Sequence, residues 1–180
     1  RGTRITGNFL HDIRARSGAE IKGVYLDDMA SGITVARNLF LRVDQPVFIG
    51  GGRDNRVEGN VFLSASPAIT LDARGLTWAA ASVSDPASEI RRALQKVPYR
   101  SPVWQRRYPR LAMLLLDEPA RPKGNVFRHN VFAFAGGYEF VAGVDRTLVV
   151  AGPDVMLRAG EQRDGLLQSR SARQVGTLVQ

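Results

Sequence analysis

The stretch RVEGNVF, residues 56–62, decides the fold, because close variants of it recur along the chain. The other copies are RITGNFL at 4–10, TVARNLF at 34–40 and VFRHNVF at 126–132. Each copy places an apolar residue ahead of an asparagine and an apolar pair after it. Self-similarity of this kind is the signature of a repeat architecture.

The spacing of the copies indicates what one repeat contains. Asn38 and Asn60 lie 22 residues apart, about the length that three short strands and their turns require. The turns need a residue that tolerates left-handed backbone and hydrogen-bonds to the next repeat, and asparagine does both. The pattern therefore predicts a β-solenoid with a ladder of stacked asparagines. The ladder residues are Asn8, Asn38, Asn60 and Asn130.

A second repeated strand follows the asparagine copies at nearly constant distance. Its copies are GVYLDD at 23–28, PVFIGG at 46–51 and PAITLD at 67–72. This match aligns three consecutive coils and places Asp28, Gly51 and Asp72 at equivalent positions. The glycine is expected to leave the space between the two aspartates open.

Two segments interrupt the repeat. An extra loop around residues 15–22 lengthens the first coil. Residues 76–124 lack the repeat pattern and are predicted to be an insertion. Within that insertion, DPASE at 85–89 opens an apolar-periodic run through Ile90, Ala93, Leu94 and Val97, closed by Pro98, which predicts a helix. A second helix is predicted over 111–116.

The end of the chain carries a weaker pattern. We expect the strands of a last coil at 147–150 and 155–157, and a loosely ordered tail at 161–180. Residues 1–160 are thus predicted to form a single β-helix domain. Because Arg1 already falls inside patterned sequence, we expect the chain to be a fragment of a longer domain.

Composition narrows the range of functions. The 180 residues are 44% hydrophobic and 23% charged, with no cysteine and a net charge of +8. The lack of cysteine excludes disulfides, thiolate metal sites and cysteine nucleophiles. No apolar run is long enough to predict a membrane span. The basic residues at 91–123 lack any nucleic-acid-binding signature, so a solvated face is expected there and no nucleic acid partner.

The runs at 23–32, 48–55 and 69–75 resemble bacterial right-handed parallel β-helix proteins of the pectate-lyase-like superfamily. The resemblance covers residues 1–75 and 123–150. It implies a right-handed parallel β-helix, a secreted or periplasmic location and a polysaccharide or oligosaccharide partner. It does not fix the activity, since that superfamily includes lyases, hydrolases, epimerases and adhesive proteins.

Four aspartates are the candidate catalytic residues. Glycoside hydrolysis needs two carboxylates, one as general acid and one as base or nucleophile. Asp28 and Asp72 are the preferred pair for the inverting reaction, and Asp27 or Asp54 could replace either. Arg53 and Arg74 are expected to bind substrate carboxylates or hydroxyls.

Three aromatic residues are candidates for stacking on sugar rings: Tyr25, Trp104 and Tyr108. Trp78 is expected to be a packing anchor instead. The leading interpretation is a glycoside hydrolase without metal or cofactor. A lyase that uses calcium on an acidic glycan, and a non-catalytic glycan-binding or structural module, remain as alternatives. The sequence makes no prediction of oligomeric state.

Overall fold

The computed structural model describes residues 2–18 and 20–158, whose strands form three sheets. The first sheet contains β1 (Arg4–Thr6), β4 (Thr34–Ala36), β7 (Arg56–Glu58), β10 (Val126–Arg128) and β13 (Val150–Ala151). The second contains β2 (Phe9–His11), β5 (Leu39–Leu41), β8 (Val61–Leu63), β11 (Val131–Ala133) and β14 (Val155–Leu157). The third contains β3 (Lys22–Leu26), β6 (Gln45–Gly50), β9 (Ile69–Asp72) and β12 (Tyr138–Phe140).

Successive strands enter the three sheets in rotation, and every strand pair is parallel. We call β1–β3, β4–β6, β7–β9, β10–β12 and β13–β14 layers one to five. Residues 4–6 pair with 34–36 and these pair with 56–58, so equivalent residues of the repeat stack on one another. The described chain is therefore a parallel β fold with few helices, in agreement with the all-β prediction.

The three sheets share one apolar core. Phe40, Phe62 and Phe132 from the second sheet stack with ring centroids 5.0 and 5.4 Å apart. Val35 and Val57 of the first sheet and Ile49 of the third belong to the same cluster and are 0% exposed. Each such side chain stabilises the fold by roughly 1.5–3 kcal/mol relative to exposure to water. Because alternate residues of a strand point to opposite faces, each sheet contributes one row of side chains per inward position to this core.

The predicted asparagine ladder is confirmed. The side-chain amide of Asn8 donates to Oδ1 of Asn38 at 2.9 Å, that of Asn38 donates to Asn60 at 3.0 Å, and that of Asn60 to Asn130 at 3.2 Å. The carboxylate of Asp154 takes the same place in layer five and accepts from the backbone N–H of Asn130 at 2.8 Å. Since buried polar groups are costly when unpaired, the ladder fixes the register of neighbouring layers.

The prediction that the asparagines themselves take left-handed backbone is wrong. The positive φ falls on the residue before each of them, with values of 71° at Gly7, 55° at Arg37, 66° at Gly59 and 55° at His129. Each asparagine donates from its backbone N–H and its side-chain amide to the residue at the same place in the next layer. The left-handed residue of the turn is therefore the one before it.

A second ladder was missed by the sequence analysis. The backbone N–H of Asn55 donates to Oδ1 of Asn125 at 3.0 Å, and both side chains are 0% exposed. The amide of Asn125 also donates to the carbonyl of Gly52 at 2.8 Å. The available signal was an asparagine directly before β7 and again before β10.

The helical segment, which we define as residues 73–125 between β9 and β10, holds the four α-helices of the described chain. They are α1 (Ala80–Ser84), α2 (Glu89–Gln95), α3 (Pro102–Arg107) and α4 (Pro109–Ala112). Short 3₁₀ turns lie at Arg74–Leu76 and Leu114–Leu116. The first predicted helix corresponds to α2, which begins at Glu89 after a cap by the Ser88 hydroxyl. The second, predicted over 111–116, is instead the end of α4 followed by a 3₁₀ turn. Helices α1 and α3 were not predicted.

The last strands differ in part from the sequence prediction. The strand at 155–157 is confirmed as β14, but residues 146–148 form a 3₁₀ turn capped by Asp145, and only 150–151 form β13. Strand β12 was not predicted. The tail at 161–180 lies outside the described residues. None of the helices that the structure describes is long and apolar enough to cross a membrane.

Candidate functional site

The register of the third sheet corrects the predicted alignment of the aspartates. Leu26 pairs with Ile49 and Ile49 with Leu71, while Gly50 pairs with Asp72. Asp27, which follows Leu26, is therefore the equivalent of Gly50 and Asp72. The predicted set of Asp28, Gly51 and Asp72 is wrong in layer three, where the register of β9 differs by one residue from the prediction. The large apolar residues must point inward, and a shift of one residue would turn them out.

Gly50 makes room for the guanidinium of Arg74. A Cβ atom at Gly50 would lie 2.3 Å from Cζ of Arg74. The space between the aspartates, which the sequence analysis left open, is thus filled by a cation. Arg74 is carried to this point by the 3₁₀ turn that follows β9.

We call Arg74, Asp27, Asp28, Asp72 and Tyr25 the Arg74 cluster. Nη2 of Arg74 donates to Oδ2 of Asp72 at 2.9 Å, and Nη1 donates to Oδ1 of Asp27 at 2.5 Å and of Asp28 at 3.3 Å. Nη2 also donates to the Tyr25 hydroxyl at 3.0 Å. The structure therefore brings together three of the four predicted carboxylates, around one predicted arginine.

The charges in the cluster perturb each other. Burial opposes the charged form of Arg74, yet hydrogen bonds to Asp72, Tyr25 and Asp27 raise the pKa of its guanidinium above the usual value. The hydrogen bond from Tyr25, followed by those from the Asp28 backbone and Arg74, lowers the pKa of the Asp27 carboxyl. Burial raises the pKa of the Tyr25 phenol. Asp27 is therefore held as a carboxylate, which suits a base and not a general acid.

Exposure separates the three carboxylates. The Arg74 side chain is 4% exposed and that of Asp72 14%, whereas Asp27 is 51% and Asp28 70% exposed. The backbone of Asp28 and Met29 takes positive φ values of 41° and 61°. Left-handed backbone at a methionine costs of order 1–3 kcal/mol, and Arg37 and His129 also take it at turns of the repeat. Two carboxylates are thus presented to solvent on a strained turn above a buried cation.

An aromatic row lies beside these carboxylates on the outer face of the third sheet. Tyr25 and Phe48 are in edge contact with centroids 5.2 Å apart, and Cζ of Arg74 lies 5.2 Å from the Trp78 ring. Trp78 is 73% exposed and Tyr25 45%. The prediction of Trp78 as a packing anchor is wrong, because the helical segment leaves it uncovered. A cation also borders the row: Nζ of Lys22 lies 5.2 Å from the centroid of the Phe48 ring.

Arg53 and Asp54 bind the helical segment. The guanidinium of Arg53, 5% exposed, donates to the carbonyl and carboxylate of Asp117 at 2.7 and 2.5 Å. Oδ1 of Asp54 accepts from Arg110 at 2.8 Å. Hydrogen bonds from Lys123 and then Arg53 lower the pKa of the Asp117 carboxyl. These contacts attach layer three to the end of the helical segment.

Trp104 and Tyr108 lie next to each other in the helical segment. Their ring centroids are 5.6 Å apart, and both side chains are half-buried. The Tyr108 hydroxyl lies beside Gly2, just before β1, where an added Cβ would be 3.7 Å away. Trp78, and not this pair, is the indole that contacts the Arg74 cluster. The only sequence signal for that role was its position four residues after Arg74.

The local charge of the site is negative. Three carboxylates and one guanidinium give the Arg74 cluster a formal charge of −3 + 1 = −2, and the Lys22 ammonium beside Phe48 reduces the charge of the site to −1, in a chain whose net charge is +8. Within residues 2–18 and 20–158, no group of three or more His, Cys, Asp or Glu side chains has the geometry to hold a metal ion. Compared with known proteins, the chain matches no protein-family model, no curated sequence and no solved structure.

Proposed function

We propose that this chain is a right-handed parallel β-helix module that binds polysaccharide along the outer face of its third sheet. Three observations support the solenoid: strands that enter three parallel sheets in rotation, a shared core, and stacked asparagines 22 residues apart in layers two and three. Right-handed crossovers are the rule for parallel strands. The resemblance found in the sequence supports a secreted or periplasmic location.

The exposed aromatic row beside the carboxylates carries the proposal of glycan binding. Pyranose rings have apolar faces that stack on indole and phenol rings. The exposed carboxylates of Asp27 and Asp28 accept hydrogen bonds from sugar hydroxyls, and charged acceptors form the stronger bonds. Trp78 at 73% exposure, directly over the Arg74 guanidinium, places a stacking surface next to these acceptors.

The charge of the site favours a neutral glycan. A uronate would meet a formal charge of −2 at the Arg74 cluster, and like charges repel. A calcium-dependent lyase remains the alternative for an acidic glycan; Asp27 and Asp28 would then hold the ion, whose charge would neutralise a substrate carboxylate. A chelator that abolishes binding would identify that alternative.

Hydrolysis is the second candidate function, favoured by the gathering of three carboxylates beside the aromatic row. Asp27, whose pKa is lowered, has the protonation state of the group that activates water. The general acid would then be Asp28 or Asp72. Asp28 is the more accessible of the two, because it is 70% exposed and has one contact to Arg74 at 3.3 Å.

The experiment is a pull-down of the chain on insoluble neutral and acidic polysaccharides, followed by assays for reducing ends and unsaturated products. We expect retention on at least one neutral glycan. If the chain hydrolyses its ligand, Asp27→Asn abolishes release of reducing ends, and so does Asn in place of whichever of Asp28 and Asp72 is the general acid. Retention without product supports a binding module, and no retention on any glycan contradicts the proposal.

A further inference from the structure

Positive charge is concentrated in one part of the helical segment. Residues 86–116 contain seven basic side chains and one acidic side chain, Glu89, which gives 7 − 1 = +6. The other 149 residues contain 18 basic and 16 acidic side chains, which gives +2. The basic residues of the segment are Arg91, Arg92, Lys96, Arg100, Arg106, Arg107 and Arg110. We call residues 86–116 the basic helical surface.

These cations are largely uncompensated. Arg110 forms a salt bridge with Asp54 at 2.8 Å. The other six form no salt bridge with any residue that the structure describes. Uncompensated charge of one sign within 31 residues creates a field that attracts a polyanionic surface.

Apolar side chains are exposed on the same surface. Leu116 is 75% exposed, Val103 66%, Met113 53% and Ile90 38%. Helices α2, α3 and α4 contain no buried residue. Helices of this length are marginal without packing of an apolar face, so these faces lack the cover that would normally stabilise them.

Helix α3 presents an exposed aliphatic side chain and two basic side chains on one of its faces. Val103 is followed by Arg106 and Arg107 at positions i+3 and i+4, which share a face in an α-helix. Trp104, half-buried and next to Val103, adds an aromatic ring of the type enriched at bilayer interfaces. Arginines with long side chains that border an exposed aliphatic residue can reach lipid headgroups while that residue enters the apolar layer.

We infer that the basic helical surface docks the protein on an anionic lipid bilayer, with the arginines at the headgroups and Val103, Met113 and Leu116 among the upper acyl chains. Charge complementarity favours any polyanion, but the exposed aliphatic side chains favour a bilayer over a soluble polyanion, since only the bilayer offers them an apolar environment.

Co-sedimentation with vesicles tests the inference on the intact chain. We expect binding to vesicles of phosphatidylglycerol and phosphatidylcholine in equal parts, and none to phosphatidylcholine alone. Each cation near an anionic bilayer strengthens binding by roughly fivefold. The triple variant Arg92→Gln, Arg106→Gln, Arg107→Gln should therefore bind about 100-fold more weakly, and added salt should weaken binding further.

A matched variant controls for net charge. Arg4, Arg16 and Arg37 are exposed and outside the basic helical surface, so their replacement by Gln should leave vesicle binding within about threefold. Val103→Ser with Leu116→Ser should weaken vesicle binding while leaving retention on heparin unchanged. Equal binding by both triple variants, or binding to heparin without binding to vesicles, would overturn the inference.

Discussion

Arg74 and Arg53 are both about 4% exposed, yet their surroundings differ. Arg74 bonds to two carboxylates that remain more than half exposed, on a surface where Trp78 and Tyr25 also face solvent. Arg53 bonds to Asp117, which is also paired with Lys123, and joins layer three to the helical segment. The exposure of its carboxylate partners, more than the burial of the arginine, therefore distinguishes a candidate binding site from a structural contact.

The largest effect is expected for Arg74→Gln. Its loss would leave Asp27, Asp28 and Asp72 to repel one another over the space beside Gly50. We expect the free energy of unfolding to fall by about 3–4 kcal/mol, together with loss of glycan binding. Chemical denaturation and polysaccharide retention measure the two effects. Unchanged stability would contradict the role of Arg74 as the centre of the cluster.

Gly50→Ala tests the position of the Arg74 guanidinium without removing its charge. The new Cβ would displace the Arg74 guanidinium, whose side chain is flexible enough to move without unfolding the sheet. We expect weakened glycan binding with a smaller loss of stability than in Arg74→Gln. Ala36→Gly, a substitution in β4 away from the cluster, is the control and should leave glycan binding unchanged.

A smaller effect is expected for Arg53→Gln. Lys123 still pairs with Asp117 in this variant, so we expect a loss of about 1–3 kcal/mol in the free energy of unfolding. Glycan binding should not change, because Arg53 contacts the helical segment and not the aromatic row. A loss of glycan binding in the folded variant would remove the distinction between the two arginines.

The smallest effect concerns pH. The pKa of Asp117 is lowered in the folded protein from the value of 3.8 expected of a free carboxyl. Its contribution to stability is therefore complete above pH 3.8 and is lost as the pH falls toward the lower, folded-state pKa. Asp117→Asn should reduce the difference in denaturation midpoint between neutral pH and a pH below 3.8. An unchanged difference would show that Asp117 contributes nothing to acid lability.

Local pattern made the layered sheets predictable. The asparagine and the apolar residues of each copy both act within one repeat, so the strands around Asn38 and Asn60 and the ladder between them could be read directly. The register of β9 could not be predicted in this way, because it depends on whether Ala68 or Ile69 fills the inward position opposite Val47. Only packing across layers decides that.

The candidate site was harder to predict, because it depends on contacts across the chain. Asp27 and Arg74 are 47 residues apart and meet because Gly50 leaves space between their layers. Trp78 sits outside the repeat, and its exposure depends on how the helical segment folds back. The sequence therefore supplied all five members of the Arg74 cluster, but not the central position of Arg74 among them or the indole beside it.

The most direct test of the central claim compares Trp78→Ala with Trp104→Ala in binding to a glycan that retains the parent chain. Stacking on the exposed Trp78 predicts that its loss weakens binding about tenfold, with no change in the denaturation midpoint. Trp104→Ala should bind as the parent does. Binding that survives Trp78→Ala, or falls only with Trp104→Ala, would contradict a glycan site on the third sheet.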